Sequence, residues 1–347
     1  MRKSATIRLA VIMAFAVMVT PSDAANYIKK SAQSGMPFLT IDVSGRTAAM
    51  GSAGSCIATD ASAMFFNIAG LAYVQGLDVM VNQTNWIVDT KQYSGGIAYN
   101  LGRYGTFGAS FVWMDYGNFN ETVPYSGFDI EKRKKGYEAL GNFNVNEYAL
   151  GLSYARKISS SFSFGAQVKY AMEDLYQGKK FMIYDPRLGI ETGSSIKDQV
   201  IAFDIGTLYY TGWKDLRFGM SIRNFSRQGK FVDQRYELPL TMTMGMAMDV
   251  LSIFMPPENK QHLTLAVDAL HPRNWTERLH VGVEYSLFDM LYIRGGYKFN
   301  YSEESFCGGL GVSKYMGNYG LRLDYAYSDF GDYFGSVHRL TLGFNWK

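Results

Sequence analysis

From Leu77 to Trp346 the chain repeats one pattern, in which large apolar residues alternate with small or charged ones. A period of two places successive side chains on opposite faces of a β-strand. Tyr148, Leu150, Leu152 and Tyr154 alternate with Ala149, Gly151 and Ser153. Leu279, Val281, Val283 and Tyr285 alternate with His280, Gly282 and Glu284, and Leu321, Leu323, Tyr325 and Tyr327 with Arg322, Asp324 and Ala326. The same phase governs Leu240 to Met248 and the last stretch, Leu340, Leu342, Phe344 and Trp346. A soluble sandwich also alternates, but its outward face is rich in Lys, Glu and Thr and poor in glycine. Here the second face is Gly, Ala and Ser with scattered Arg, Asp and Glu, which suits a barrel with lipid outside and a lumen inside.

The pattern therefore predicts an all-β fold, an antiparallel transmembrane β-barrel of about fourteen strands. They are placed near 77–90, 92–102, 105–117, 146–158, 161–175, 199–211, 215–227, 239–251, 261–270, 277–287, 290–300, 305–314, 319–329 and 336–346. Connections near Gly102, Ser159, Lys214 and Asp289 are short, whereas 118–145, 176–198 and 228–238 are long. That asymmetry is the one between periplasmic turns and outer loops. Phe181 to Thr192 and Leu251 to Pro257 fit an extra strand, an interfacial piece or a loop. Aromatic residues near segment ends, among them Trp86, Trp113, Tyr209, Trp213, Trp275 and Trp346, fit interfacial girdles. The 36 Gly, 25 Tyr and 23 Phe against 8 Pro favour such a protein over a disordered chain or a coiled coil.

Residues 1–24 read as a secretory signal. Arg2, Lys3 and Arg8 form a basic start, Leu9 to Val19 an apolar core, and Ser22-Asp23-Ala24 a cleavage site. No run of about 18 apolar residues follows. Export and the barrel pattern together place the protein in the outer membrane of a diderm bacterium, in contact with outer-membrane lipid. The first residues account for two of the three net positive charges, so no electrostatic case for nucleic acid remains. Cys56 and Cys307 are too few for a disulfide framework or a metal cluster; one bridge or two unpaired buried thiols are the open alternatives.

Between the signal and the barrel lies a segment of another kind, 25–76, which we assign as an N-terminal hatch or plug. Its core, Met36 to Leu71, is rich in small residues. Phe38 to Val43 reads as a short extended piece. Gly45-Arg46-Thr47-Ala48-Ala49-Met50-Gly51 reads as a helical turn or two between glycines. Ala61 to Phe66 reads as a short helix with Asp60 as its N-cap and Gly70 beyond its end. Pro37-Phe38-Leu39, the Gly45 to Gly51 stretch and Asp60-Ala61-Ser62-Ala63, followed by Asn67, Ala69, Gly70 and Leu71, resemble the PorV/PorQ family of the FadL-like class of outer-membrane proteins. This sequence has Ile68 where that family's motif has proline. The resemblance implies a fourteen-stranded barrel, residues 77–347, with the N-terminal segment folded into its lumen, and marks Gly45, Arg46, Met50, Gly51, Asp60, Ser62, Asn67 and Gly70. It implies one of two functions. The first is an accessory barrel that engages secreted proteins in type IX secretion; the second is a hatch for passive passage of hydrophobic small molecules.

Inward glycines either leave volume for that plug or relieve strand curvature. Arg217, Arg223, Asp268, Glu284, Arg294, Arg322 and Asp324, with Asp204, Lys298 and Arg339, fall on the lumen face with both signs present. They read as an ion-pair network that fixes the plug, with a path for a polar solute as the alternative. Catalysis finds no support. His280 and Glu284 share a strand face about 13 Å apart, and no nucleophile, base and orienting group assemble from local spacing. Gly308-Gly309-Leu310-Gly311 lies in a strand pattern with no helix after it, so it is no phosphate loop. No metal-ligand spacing and no cofactor motif appears. Glu131-Lys132-Arg133-Lys134-Lys135 lies in the longest outer loop. It reads as a solvated tip or as a contact for lipopolysaccharide phosphates or an acidic partner.

Overall fold

The computed structural model describes residues 34–125, 127–176, 180–185, 190–231, 234–255 and 260–347; the signal sequence and the cleavage site lie outside them. Among the described residues, fourteen strands close into one antiparallel barrel. They are β1 Leu77–Asn85, β2 Lys91–Asn100, β3 Thr106–Asp115, β4 Asn146–Lys157, β5 Phe162–Asp174, β6 Lys197–Tyr210 and β7 Arg217–Ser226. The second half comprises β8 Thr241–Asp249, β9 Gln261–Pro272, β10 Arg278–Leu287, β11 Leu291–Phe299, β12 Phe306–Met316, β13 Tyr319–Asp329 and β14 Ser336–Trp346. Each strand pairs with the next, and β14 returns to β1 with Leu77 opposite Trp346, so no edge is left open.

The alternation decides which face goes where. Along β4 the outward Leu150 and Leu152 are 52% and 72% exposed while Ala149 and Ser153 are buried. Outward apolar side chains on a closed sheet have lipid as their solvent, and every strand hydrogen bond is satisfied within the wall. Strands end where the backbone turns left-handed. β1 stops at Asn85 because Val88 and Asp89 have φ of 54° and 57°, and β3 stops short of Gly117, at φ 70°. The expected strand ends at 90 and 117 are therefore too late.

Connections at the end that carries the C-terminus are short except for β8–β9; the longest ones lie at the other end, which by the usual asymmetry faces outward. Three of them hold hairpins outside the wall: Phe119–Pro124 with Tyr137–Phe143, Lys180–Asp185 with Ile190–Ser195, and Gly229–Phe231 with Gln234–Tyr236. The Phe181 to Thr192 stretch thus falls largely within a loop hairpin. Leu251–Ile253 is a 3-10 turn in the β8–β9 connection.

Residues 34–74 run through the interior. Gly35 N donates to Glu237 O at 3.1 Å on the outer side. At the other end, Asn100 Nδ2 donates to Val74 O at 2.7 Å near the short β2–β3 turn. The segment holds a 3-10 turn at Pro37–Thr40, helices at Gly45–Ala49 and Ala63–Phe66, and a 3-10 helix at Ile68–Tyr73. Two local expectations need correction. Pro37 opens a helical turn, closed by Thr40 Oγ1 on Pro37 O at 2.8 Å, so the extended stretch begins only at Ile41. Asp60 does not cap the next helix: Ser62 takes the N-cap position, and Asp60 Oδ1 accepts from Ser62 N at 2.9 Å.

The outward face predicts a depth-dependent response. Leu152→Arg, at mid-strand, lowers the unfolding free energy in lipid vesicles by about 2–4 kcal/mol, whereas Leu152→Phe leaves it nearly unchanged. Equal stability of the two variants in a denaturant titration would contradict the lipid-facing assignment.

Candidate functional site

A barrel of this size has an interior wider than its own inward side chains fill. Here the filling is a second stretch of backbone, and the wall is cut back to admit it. Cross-strand glycine pairs recur across the lumen face: Gly165 with Gly206, Gly219 with Gly245, and Gly282 with Gly296. A Cβ on Gly282 would lie 2.2 Å from Met50 O, and one on Gly296 2.1 Å from Gly51 N. Gly51 has φ +65°, and a side chain there would meet Val281 O at 2.8 Å. The Met50–Gly51 turn therefore fits only because three positions lack a Cβ. The Gly308–Gly311 run serves the same end. A Cβ on Gly309 would meet Ala49 Cβ at 2.6 Å. Gly282, Gly296 and Gly309 make room for the plug, whereas Gly311 and Gly343 make room for the wall's own Arg294 and Arg322.

Charge then holds the plug in register. Arg46 forks onto Glu284, Nε to Oε2 at 3.0 Å and Nη2 to Oε1 at 2.8 Å. Glu284 Oε2 also accepts from Arg294 Nε at 2.6 Å, and Arg294 Nη1 reaches Asp324 Oδ1 at 2.5 Å. That last contact passes over Gly311, where a Cβ would lie 2.4 Å from Arg294 Nη1. Arg322 Nη2 donates to both oxygens of Asp78 at 2.9 Å, and its Nη1 to Asp60. Ser55 N and Oγ both donate to Asp268, at 2.9 and 2.5 Å. Charge-assisted bonds such as these are the strong class of hydrogen bond. Asp60 is engaged at both oxygens, Oδ1 by Ser62 and Oδ2 by Arg322.

The remaining marked residues have local tasks. Gly45 N donates to Thr341 Oγ1 at 2.8 Å. Asn67 Nδ2 bridges Ser55 O and Thr207 O, both at 2.9 Å, tying two plug segments to β6. Gly70 backs onto Ala58 O, which a Cβ would approach to 2.0 Å. Ile68, fully buried, sits at the first position of the 3-10 helix, where proline is also allowed, and its side chain lies over Gly165. A β-bulge opposite Asp204, with Asn224 at φ 61°, turns Arg223 and Asn224 to the lumen together. Arg223 Nη1 then donates to Phe65 O. Arg217 stands apart from the network. It pairs with Asp215 at 3.0 Å at the short-turn end.

Two anchors escaped the sequence reading. Asp78 shares the inward phase of β1 with Met80, Asn82 and Thr84, and that phase could have found it. Asp42, bound by Lys298 Nζ at 2.9 Å, lies outside any repeat and gives no periodic signal.

The plug divides the interior. A cavity of ≈ 470 Å³ remains beneath the outer connections, and a polar one of ≈ 300 Å³ opens toward the short turns between Arg46, Asp60, Asp78 and Arg322. Cys56 and Cys307 are both buried and unbridged. His280 Nε2 lies 2.8 Å from Tyr301 Oη, and no group of three His, Cys, Asp or Glu that could hold a metal occurs among the described residues. The exposed Glu131–Lys135 run lies in a short helix, Ile130–Lys135, capped by Asp129.

Comparison with known proteins adds two findings. Residues 136–344 match the family model described as type IX secretion system membrane protein PorP/SprF. The fold is similar to that of the deltaS2 mutant of the TodX monoaromatic hydrocarbon channel, with TM-score 0.54 and 13% identity over 88% of this chain and 100% of that one. It is also similar to the CymD monoaromatic hydrocarbon channel, with TM-score 0.54 and 11% identity over 88% and 97% of the two chains. The Pseudomonas putida toluene transporter TodX gives TM-score 0.51 and 12% identity over 86% and 96%. At this identity the likeness is one of fold. No curated protein matches the sequence.

The glycine notch yields a direct test. Gly296→Val drives a side chain into the Met50–Gly51 turn and displaces the plug while the outward face is unchanged. The variant should keep a heat-modifiable gel mobility and show higher conductance in planar bilayers than the parent. Unchanged conductance from a folded variant would count against the plug as the lumen's seal.

Proposed function

The chain belongs to the family of type IX secretion system membrane proteins PorP/SprF, and we propose that it is an accessory barrel that engages secreted proteins at the outer membrane, not an open conduit for them. One observation carries this reading. The lumen is occupied by a segment clamped through Arg46–Glu284 and Arg322–Asp60, which leaves no free bore for a polypeptide. What such a barrel offers a partner is its surface, and the three outer hairpins are where the chain has invested length beyond closing the wall. Loops on a rigid scaffold are the usual place for recognition. The likeness of the Gly45 to Leu71 stretch to the PorV/PorQ family supports a role of the same accessory kind.

A second reading has an observation of its own. The outer cavity, walled in part by Trp86, Phe330 and Phe334, suits passive uptake of a hydrophobic small molecule past a movable plug.

Deletion of the gene separates the two. The accessory role predicts that secreted cargo accumulates in the periplasm and is missing from the surface, while uptake of a hydrophobic solute such as toluene is unchanged. Normal surface delivery with slowed uptake would overturn it in favour of transport.

A further inference from the structure

The outer cavity differs from the rest of the lumen in how its cations are partnered. Arg46, Arg294, Arg322, Lys298 and Lys169 each bind a carboxylate. Arg223 and Arg278, which line the cavity from opposite sides of β8 and β9, have no carboxylate within ion-pair distance among the described residues. Each has a buried Nε with no hydrogen-bond partner among the described residues. Arg278 is held instead by aromatic faces, its guanidinium 3.9 Å from the Tyr301 ring and 4.8 Å from that of Trp275. Arg339, fully buried on the same cavity, hydrogen-bonds to Asp42 O at 3.3 Å and Ser328 Oγ at 2.8 Å, and the Asp42 carboxylate lies close enough to attract it. His280, only 3% exposed, lines the cavity too, with Nε2 2.8 Å from Tyr301 Oη.

The hydrogen bonds of the neighbouring acids go elsewhere: Asp268 accepts from Ser55, and Asp42 and Glu304 both pair with Lys298, while Glu303 lines the cavity at its exposed rim. Buried donors are costly to leave without an acceptor, and two guanidinium nitrogens of this kind belong to residues that line one cavity. The opposite wall is apolar: Trp86 packs edge-on to Phe330 with centroids 5.1 Å apart, beside Phe334. The floor is the plug itself, at Ser52 and Ser55, so the space is short and closed below.

We propose that this cavity is a binding site for a carboxylate carried on a compact apolar ring, entering from the outer face. The carboxylate lies between the guanidiniums of Arg223 and Arg278, and the ring lies against Trp86 and Phe330. The site is independent of whether the barrel serves secretion. Two sources share this chemistry, the aromatic C-terminal residue of a polypeptide and a free aryl acid.

The test is calorimetric titration of the full mature chain in lipid nanodiscs with N-acetyl-phenylalanine, 3-phenylpropionate and the neutral N-acetyl-phenylalaninamide. The site predicts that at least one acid binds about tenfold or more tighter than the amide. It further predicts that Arg223→Gln and Arg278→Gln, each shown by heat-modifiable mobility to be folded, weaken that acid about tenfold or more. Binding of N-acetyl-phenylalanine alone identifies a polypeptide terminus; equal binding of 3-phenylpropionate identifies a free acid. Equal affinity for acid and amide, binding of neither acid at millimolar concentration, or unchanged affinity in both folded arginine variants would overturn the proposal. Arg217→Gln, which alters a guanidinium at the far end of the lumen, serves as the control that should leave binding unchanged.

Discussion

The structure rests on a close approach of two backbones inside a membrane wall. The plug carries amide groups and charges into the interior of the wall, where a buried polar group left unpaired would cost more than it does at a surface. Contact with the wall has to be near enough for hydrogen bonds, and that nearness exists only where the wall lacks side chains. Gly282, Gly296 and Gly309 are thus as much a part of the site as Arg46 or Glu284. Small residues set the distance, and charges set the register along it.

The charged contacts do not lend themselves to simple addition. Arg46, Glu284, Arg294 and Asp324 form one connected chain of ion pairs. Desolvating such a chain costs free energy comparable to what its attractions return. Its clearer consequence is selectivity: a plug shifted by one residue would strand Arg46 and leave Glu284 with a single partner. Apolar packing around Met50, Ile57 and Leu71 supplies attraction with much less sense of position.

The wall was legible in the sequence, because one face meets lipid and the other meets the plug, and both constraints have period two. The strand count and most strand limits follow from that. The interior of the plug was legible only in outline. Its turns depend on contacts hundreds of residues away, such as Gly45 to Thr341, and no local pattern carries that information. Asp60 shows the difference: it reads as a helix cap from its neighbours, but Arg322 on β13 draws its second oxygen away. The lumen charges were visible as a set, whereas their pairing was not, since Arg217 has the same phase as Arg223 and a different partner. The family match spans 136–344, almost entirely wall and loops, and does not extend to the plug.

The path of the plug also leads to the seam of the wall. Residue 35 is tied at the outer rim and residue 74 near the opposite rim, immediately before β1 begins. The last seam of the wall, β1 with β14, joins Leu77 to Trp346. The strand that closes the wall is thus the direct continuation of the segment that fills it, so filling and closure meet at one point of the chain.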